Sequence, residues 1–216
     1  MTAPRLFILG AGGHGKVAAD CAKAQGLWSA IEFFDDRWPT LSACADWPVV
    51  GVGADLFRQE RRPSEAFVAI GEAGTRLAWI ERLREAGFEL ATIIHPRAIV
   101  SSGAWIGPAS VIVAGAVVNI GARIEEGVIV NTGATVDHDC VIRAGAHICP
   151  GAHVAGNVEI GRGAWIGVGA AVRQGIKIGA GAVIGAGAAV VQDIAEGVTA
   201  HGVPARPIAG KARDGH

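Results

Sequence analysis

From Ile94 to Val190 every sixth residue of the chain is isoleucine or valine, seventeen consecutive positions without an insertion. A period of six fits neither an α-helix, at about 3.6 residues per turn, nor a simple strand, at about 2. It fits a parallel β-helix, in which each hexad supplies one short strand and a corner and three hexads close a triangular coil. The β-branched side chains then fill the interior, a pleated environment that suits them. Seventeen hexads make five and two-thirds coils, a stack of roughly 27 Å at the usual spacing of neighbouring strands. Three residues after each Ile or Val, twelve of the seventeen positions are glycine, and the position after that is mostly alanine. Glycine is expected there because the corner needs a positive φ or a close approach of backbones.

The repeat makes sense of the composition. The 216 residues include 32 glycines, 50% are hydrophobic and only 18% are charged, with a mean hydropathy of +0.37. Such a chain is too apolar to be disordered, and its glycines lack the strict period of three that collagen needs. No apolar run approaches the roughly 18 residues of a membrane helix, so no membrane partner is expected. A net charge of −1 offers no footprint for nucleic acid or an anionic membrane. Four cysteines (Cys21, Cys44, Cys140, Cys149) show no CxxC spacing and no secretory signal precedes them. Reduced thiols and a cytoplasmic location are the expectation. Periodicity sets the expected boundaries: a first domain over 1–93, a β-helix over 94–196, and a tail over 197–216 that holds Gly202-Val-Pro-Ala205 and closes in polar residues expected to be mobile.

Residues 1–93 read as βα units. Arg5–Leu9 is a strand, followed by Gly10-Ala-Gly-Gly-His-Gly15 and a helix running to Gly26. Ile31–Phe34 is a second strand ending in Asp35-Asp36. Ala66–Ile70 is a third, followed by Gly71 and an amphipathic helix from Thr75 to Ala86 with Leu77, Ile80 and Leu83 on one stripe. Strands alternating with helices imply a small parallel, Rossmann-like sheet. Gly10, Gly12 and Gly15 satisfy the dinucleotide fingerprint, with Asp35 placed as its ribose-binding acid. Taken alone this predicts an NAD oxidoreductase. The segment is short for a full dinucleotide fold, however, and the hexads offer no hydride-acceptor pocket. The same loop serves a nucleotide sugar equally well, since backbone N–H groups at a helix N-terminus cradle a pyrophosphate.

A repeat this regular makes its exceptions informative. The glycine position is occupied otherwise at Arg97, Ala109, Asp139, Asn157 and Asp193. Asp and Asn tolerate left-handed backbone geometry, so an isolated one says little. Asp139 has His138 beside it, in Val136-Asp-His-Asp-Cys140. Acyl transfer from a thioester requires the attacking amine or hydroxyl to lose a proton, and an imidazole with a pKa near about 6.5 can take it. A carboxylate on the other ring nitrogen fixes the tautomer and stabilises the imidazolium. Direct attack needs no Ser or Cys nucleophile, and Cys140, at a small-residue position, reads as core. His147 and His153 both fall at the sixth position of their hexads. His147 is half a coil from His138, so the two can converge only across a subunit interface. The three histidines superficially invite a metal site of the β-helix carbonic anhydrase kind; the N-terminal domain and Asp139 argue against it, and no metal is expected.

Uninterrupted hexads, the Gly-Val-Pro-Ala tail and the preceding Gly-Ala-Gly-Gly-His-Gly domain together resemble the bacterial sugar O/N-acyltransferases, over about residues 4–208. That family includes sialic acid O-acetyltransferases and N-acetyltransferases of nucleotide-linked 4-amino sugars. The resemblance implies a left-handed β-helix, acetyl-CoA as co-substrate, a homotrimer with active sites between prisms, and a nucleotide-sugar partner held by the first domain. It implies His138 as catalytic base and Asp139 as the acid that raises its basicity. Gly12, Gly13 and His14 would contact the pyrophosphate, Asp35 and Asp36 the base and ribose, with Gly71 nearby. His147, Val168 and Ala186 would contact acetyl-CoA, the last two through backbone amides. No role carries over to His153, while Arg206 and Lys211 could meet CoA phosphates. The expected reaction is N-acetylation of a nucleotide-linked 4-amino-4,6-dideoxyhexose, GDP-perosamine first and UDP-linked amino sugars close behind. The alternatives are an O-acetyltransferase acting on a sialic acid or other glycan hydroxyl, and a non-catalytic nucleotide-sugar-binding protein.

Overall fold

The computed structural model describes residues 3–60 and 63–208. The first domain is a six-stranded sheet in the order β3-β4-β2-β1-β5-β6. Its strands are β1 (Arg5–Leu9), β2 (Ala30–Phe34), β3 (Ala43–Cys44), β4 (Trp47–Gly51), β5 (Ser64–Val68) and β6 (Glu89–Leu90). All neighbours are parallel except β3 and β4. Helix α1 (Gly13–Gln25) buries Ala18, Ala19, Cys21 and Ala22, and stops at Gly26, whose φ of 72° takes the chain out of the helix. Helix α2 (Ala73–Glu85) starts two residues before the expected Thr75 because Glu72 caps it, accepting from the Gly74 and Thr75 amides. The strand expected over Ala66–Ile70 lies at Ser64–Val68. Its pairing with β1 ends where β1 ends, at Leu9↔Val68, so the apolar Ala69 and Ile70 already belong to the turn.

The hexads build a left-handed triangular prism. Each contributes a two-residue strand, and these stack into faces of six, six and five members, the first extended to eight by two strands beyond the hexads. Partners are one coil, eighteen residues, apart: Val111, Ile129, His147 and Trp165 pair in succession. The interior column from Ile112 to Val190 is buried, each such side chain contributing about 1.5–3 kcal/mol. Ala109, Asp139 and Asn157 take the left-handed φ (56°, 58° and 58°) of the corner glycines they replace, whereas Arg97 and Asp193 do not. The eight-stranded face continues past the expected boundary at 196, because Thr199–His201 pairs with the Val183–Ile184 strand and Arg206–Pro207 pairs with it in turn. Lys211 and the rest of the polar terminus lie outside the described residues.

The first domain seats on the eight-stranded face. Ile93, Val111 and Ile129 point outward from that face and are buried with Leu6, Ile8 and Ala18. Along one prism edge, α2 crosses a column of corner glycines. A Cβ added to Gly145 would lie 2.7 Å from Leu77 Cδ1, and one on Gly127 would lie 2.8 Å from Ile80 Cδ1. The Leu77–Ile80 part of the helix stripe therefore meets the prism, while Leu83 turns to the sheet with Phe7 and Leu9. Arg76 fastens the contact. Fully buried, it donates to Ile70 O (2.7 Å) and Gly71 O (2.8 Å) in its own domain and to Gly127 O (2.9 Å) and Gly145 O (2.6 Å) in the prism.

Candidate active site

His138 and Asp139 sit on the corner after the Thr135–Val136 strand of the six-stranded face. The left-handed φ of Asp139 turns its carboxylate back to the preceding ring, and His138 Nδ1 lies 2.9 Å from Asp139 Oδ2. Both side chains are exposed, at 57% and 68%, so a substrate can reach them. The Asp139 hydrogen bond, together with the charges of Asp137 and Asp139, raises the His138 pKa above the ordinary imidazole value. Asp137 was not singled out from sequence. Its Oδ1 accepts from the His138 amide (2.8 Å) and from Asn119 Nδ2 (2.9 Å), which ties the corner to the coil before it. Asn119 and Asp137 are one coil apart, so the eighteen-residue spacing was the signal that could have paired them. Cys140 is buried, hydrogen-bonds to Ala155 O, and has a thiol pKa raised by burial, which makes it an inert core residue.

A second cluster forms where the first domain meets the prism. His14, in the first turn of α1, is mostly buried, and burial with the nearby Arg76 charge lowers its pKa to about 4. His147 is buried on the eight-stranded face, and burial, followed by His14 and Arg76, lowers its pKa to about 3. Both rings are therefore neutral. His147 Nε2 lies 3.1 Å from Asn131 Nδ2 and its ring meets Trp165 edge-on at 4.4 Å. His14 Nε2 and His147 Nδ1 have no hydrogen-bond partner among the described residues, two buried polar atoms that a bound molecule can satisfy. Within one chain the structure brings together His14, Gly71, Arg76 and His147. It does not bring His138 and Asp139 to them.

The glycine loop divides its labour. Gly10 and Gly15 are close-packing positions: an added Cβ would fall 2.9 Å from Ala69 O and 2.1 Å from Gly10 O, respectively. Gly12 and Gly13 face open space, and no side chain caps the α1 N-terminus, so its N–H groups are available to an anion. Asp35 is engaged as a brace. Its carboxylate accepts from the Ala11 amide (2.8 Å) and from Arg37, which holds its pKa down to about 2. Asp36 accepts from the Gly53 amide at 3.0 Å. Gly71, also facing open space, gives its carbonyl to Arg76. Val168 and Ala186 are exposed and one coil apart on a single prism edge, where Gly187 N donates to Val168 O. His153 is exposed on the six-stranded face and hydrogen-bonds Thr135 Oγ1 at 3.0 Å, beside Asp137 in a groove of about 490 Å³. His138, His147 and His153 thus stand on a corner and two different faces. Among the described residues no group of three His, Cys, Asp or Glu is arranged to hold a metal ion, and no helix is long and apolar enough to cross a membrane.

Known proteins share this architecture. Residues 5–83 match the PglD N-terminal domain and residues 157–192 the bacterial transferase hexapeptide (six repeats). The UDP-N-acetylbacillosamine N-acetyltransferase of Bacillus subtilis (strain 168) is 38% identical over 103 residues, a match that spans about half of each chain (47% and 48%). The acetyltransferase domain of PglB from Neisseria gonorrhoeae FA1090, solved in complex with acetyl coenzyme A, superposes with a TM-score of 0.93 at 44% identity, covering 96% of this chain and 100% of that one. PerB from Caulobacter crescentus, solved with CoA and GDP-perosamine, gives 0.87 at 38% identity, covering 94% and 97%.

Proposed function

The chain belongs to the hexapeptide-repeat sugar acyltransferases that carry a PglD-type N-terminal domain, and from that premise we propose that it transfers acetyl from acetyl-CoA to the 4-amino group of a nucleotide-linked 4-amino-4,6-dideoxyhexose. The observation that carries the reading is the exposed His138–Asp139 pair, its Nδ1 held at 2.9 Å by the carboxylate. With Nδ1–H committed to Asp139, Nε2 is the basic nitrogen, and it takes the proton from the amine as the amine attacks the thioester carbonyl. Asp139 orients the ring and steadies its positive charge. A backbone N–H offsets the charge that develops on the carbonyl oxygen. The Asp139 hydrogen bond raises the ring's pKa above the ordinary imidazole value, which makes it the stronger base.

The acceptor's pyrophosphate would lie on the open loop at Gly12, Gly13 and His14, with Asp35, Asp36 and Gly71 bordering the nucleoside. Acetyl-CoA would lie along the edge of His147, Val168 and Ala186, where the unsatisfied His147 Nδ1 suits a polar group. These two sets sit on the seated face and its edge, away from His138, so the reading requires a homotrimer in which one chain's corner completes a neighbour's site. GDP-perosamine is the first acceptor to test, since the PerB structure holds it; a UDP-linked 4-amino sugar is the second, after the Bacillus enzyme's name. A thiol-release assay with acetyl-CoA tests the proposal against GDP- and UDP-linked 4-amino sugars and a sialic acid. Release with a 4-amino sugar supports it. Release only with the sialic acid replaces it with O-acetylation, and release with none overturns it.

A further inference from the structure

The imidazole of His138 rests on a place where a side chain is missing. One coil after His138 stands Gly156, and a Cβ added there would lie 2.5 Å from Nε2, 2.6 Å from Cε1 and 3.1 Å from Cδ2. One coil before Asp139 stands Gly121, where a Cβ would lie 2.4 Å from Asp139 Oδ1. The dyad is thus seated between two glycines on adjacent coils. They are not equivalent. Gly121 has a φ of +74°, so its backbone already accounts for a glycine. Gly156 lies outside the positive-φ region, and its backbone accommodates any residue. It stands two residues after Val154, and at that hexad position the other sixteen repeats all carry a side chain, among them Pro96, Ile120, Thr132, Pro150 and Gln174. Neither the corner geometry nor the repeat calls for glycine at this one place. The contact that does is the His138 ring.

We infer that Gly156 is a positioning residue for the reaction: its lack of a side chain is what lets the His138 imidazole sit with Nδ1 on Asp139 and Nε2 toward the acceptor. The inference rests on the reading of His138 as the base. A methyl at this position needs a separation of about 3.5 Å from the ring atoms, so the ring must withdraw by about 1 Å. It is free to do so, because its other side is open to solvent and the colliding atoms are the far end of a side chain. Gly156→Ala is accordingly a variant that folds, since no backbone is strained and no core atom is displaced. A displacement of about 1 Å at a catalytic group costs on the order of a hundredfold in rate.

Two readouts on the intact protein test this, one of them independent of turnover. Titration of the histidine rings by NMR, with the His138 signal assigned by its loss in His138→Asn, should show the His138 midpoint falling in Gly156→Ala toward the ordinary value of about 6.5, while the melting temperature stays at the wild-type value. With acceptor present, kcat should fall about a hundredfold with KM for acetyl-CoA unchanged, and Gly156→Ala should cost nothing further in a His138→Asn background. An unchanged His138 titration overturns the inference, as does a kcat loss that persists undiminished without His138. A raised KM with kcat intact overturns it too, because the methyl would then be obstructing acetyl-CoA. If wild type acetylates none of the acceptors, the proposed function fails, and the ring titration alone still decides the role of Gly156.

Discussion

Replacing Arg76 with methionine removes a buried side chain that hydrogen-bonds to backbone carbonyls of both domains at the α2 crossing, while keeping a stem of similar length. Four carbonyls lose their donor, those of Ile70, Gly71, Gly127 and Gly145. Leaving a buried acceptor unsatisfied costs about 1–3 kcal/mol, so the buried pair, Gly127 and Gly145, costs on the order of 4 kcal/mol, and the part-buried carbonyls of Ile70 and Gly71, which water can reach, add about 1 kcal/mol. Against this stands the charge itself. Burial lowers the Arg76 pKa to about 10 from an ordinary 12.5, and at about 1.4 kcal/mol per unit methionine recovers about 3 kcal/mol by not burying a cation. The net expectation is a loss on the order of 2 kcal/mol, within the usual range for a substitution that breaks a buried hydrogen-bond network. Arg76→Lys should fall between, because a single ammonium cannot span carbonyls that a planar guanidinium reaches together. Arg84, exposed and bonded to Glu81 and Glu126, is the control, and its methionine variant should change stability by less than about 1 kcal/mol. Denaturant unfolding at neutral pH measures all three. If Arg76→Met proves no more destabilising than Arg84→Met, the reasoning that these four bonds hold the first domain on the prism is wrong.

Two further outcomes follow from the ionisable groups. In Asp139→Asn the carboxylate that raises the His138 pKa is gone, so more of the base is neutral at low pH. The acidic limb of the kcat/KM profile should move to lower pH while the plateau falls, by less than the hundredfold or more that His138→Asn costs; a limb that stays in place would show that another group titrates there. His14 and His147 are held neutral in the fold, with pKa values lowered to about 4 and about 3, whereas in the unfolded chain they protonate near about 6.5. Their folded pKa values lie below the unfolded ones, so the stability they permit is complete above about pH 6.5 and is lost as pH falls toward 4, by about 1.4 kcal/mol per unit for each ring. Unfolding midpoints measured from neutral pH down to about pH 5 should show a slope that is halved in His147→Asn, and an identical slope would contradict the account of these rings.

The prism was legible because its grammar is local. Each hexad carries its own interior Ile or Val and its own corner, so the period alone set the architecture, and Asp139 stood out as a substitution within that grammar. The βα strands were legible in kind and less so in extent. Ala69 and Ile70 read as strand because they are apolar, yet β1 supplies no partner beyond Leu9. The β3–β4 hairpin escaped notice because β4 carries Pro48, which cannot donate to a ladder and argues against a strand in sequence. Arg76 was invisible for a different reason. An arginine on an amphipathic helix reads as a solvated charge, and two of its four acceptors lie 51 and 69 residues away in sequence. Gly156 was hidden in plain sight among 32 glycines, since only the fold shows that it lies beneath the ring of His138.

The most direct test of the proposed chemistry is to follow the acetyl carbon itself. Wild-type protein is incubated with GDP-perosamine and acetyl-CoA isotope-labelled at the acetyl carbonyl, and the label is tracked by carbon NMR. The thioester signal is expected to give way to a single amide carbonyl on the sugar's 4-nitrogen, at a rate that collapses in His138→Asn. A thioester that persists with every nucleotide-linked 4-amino sugar, or a label that emerges as an ester, would contradict the proposed chemistry.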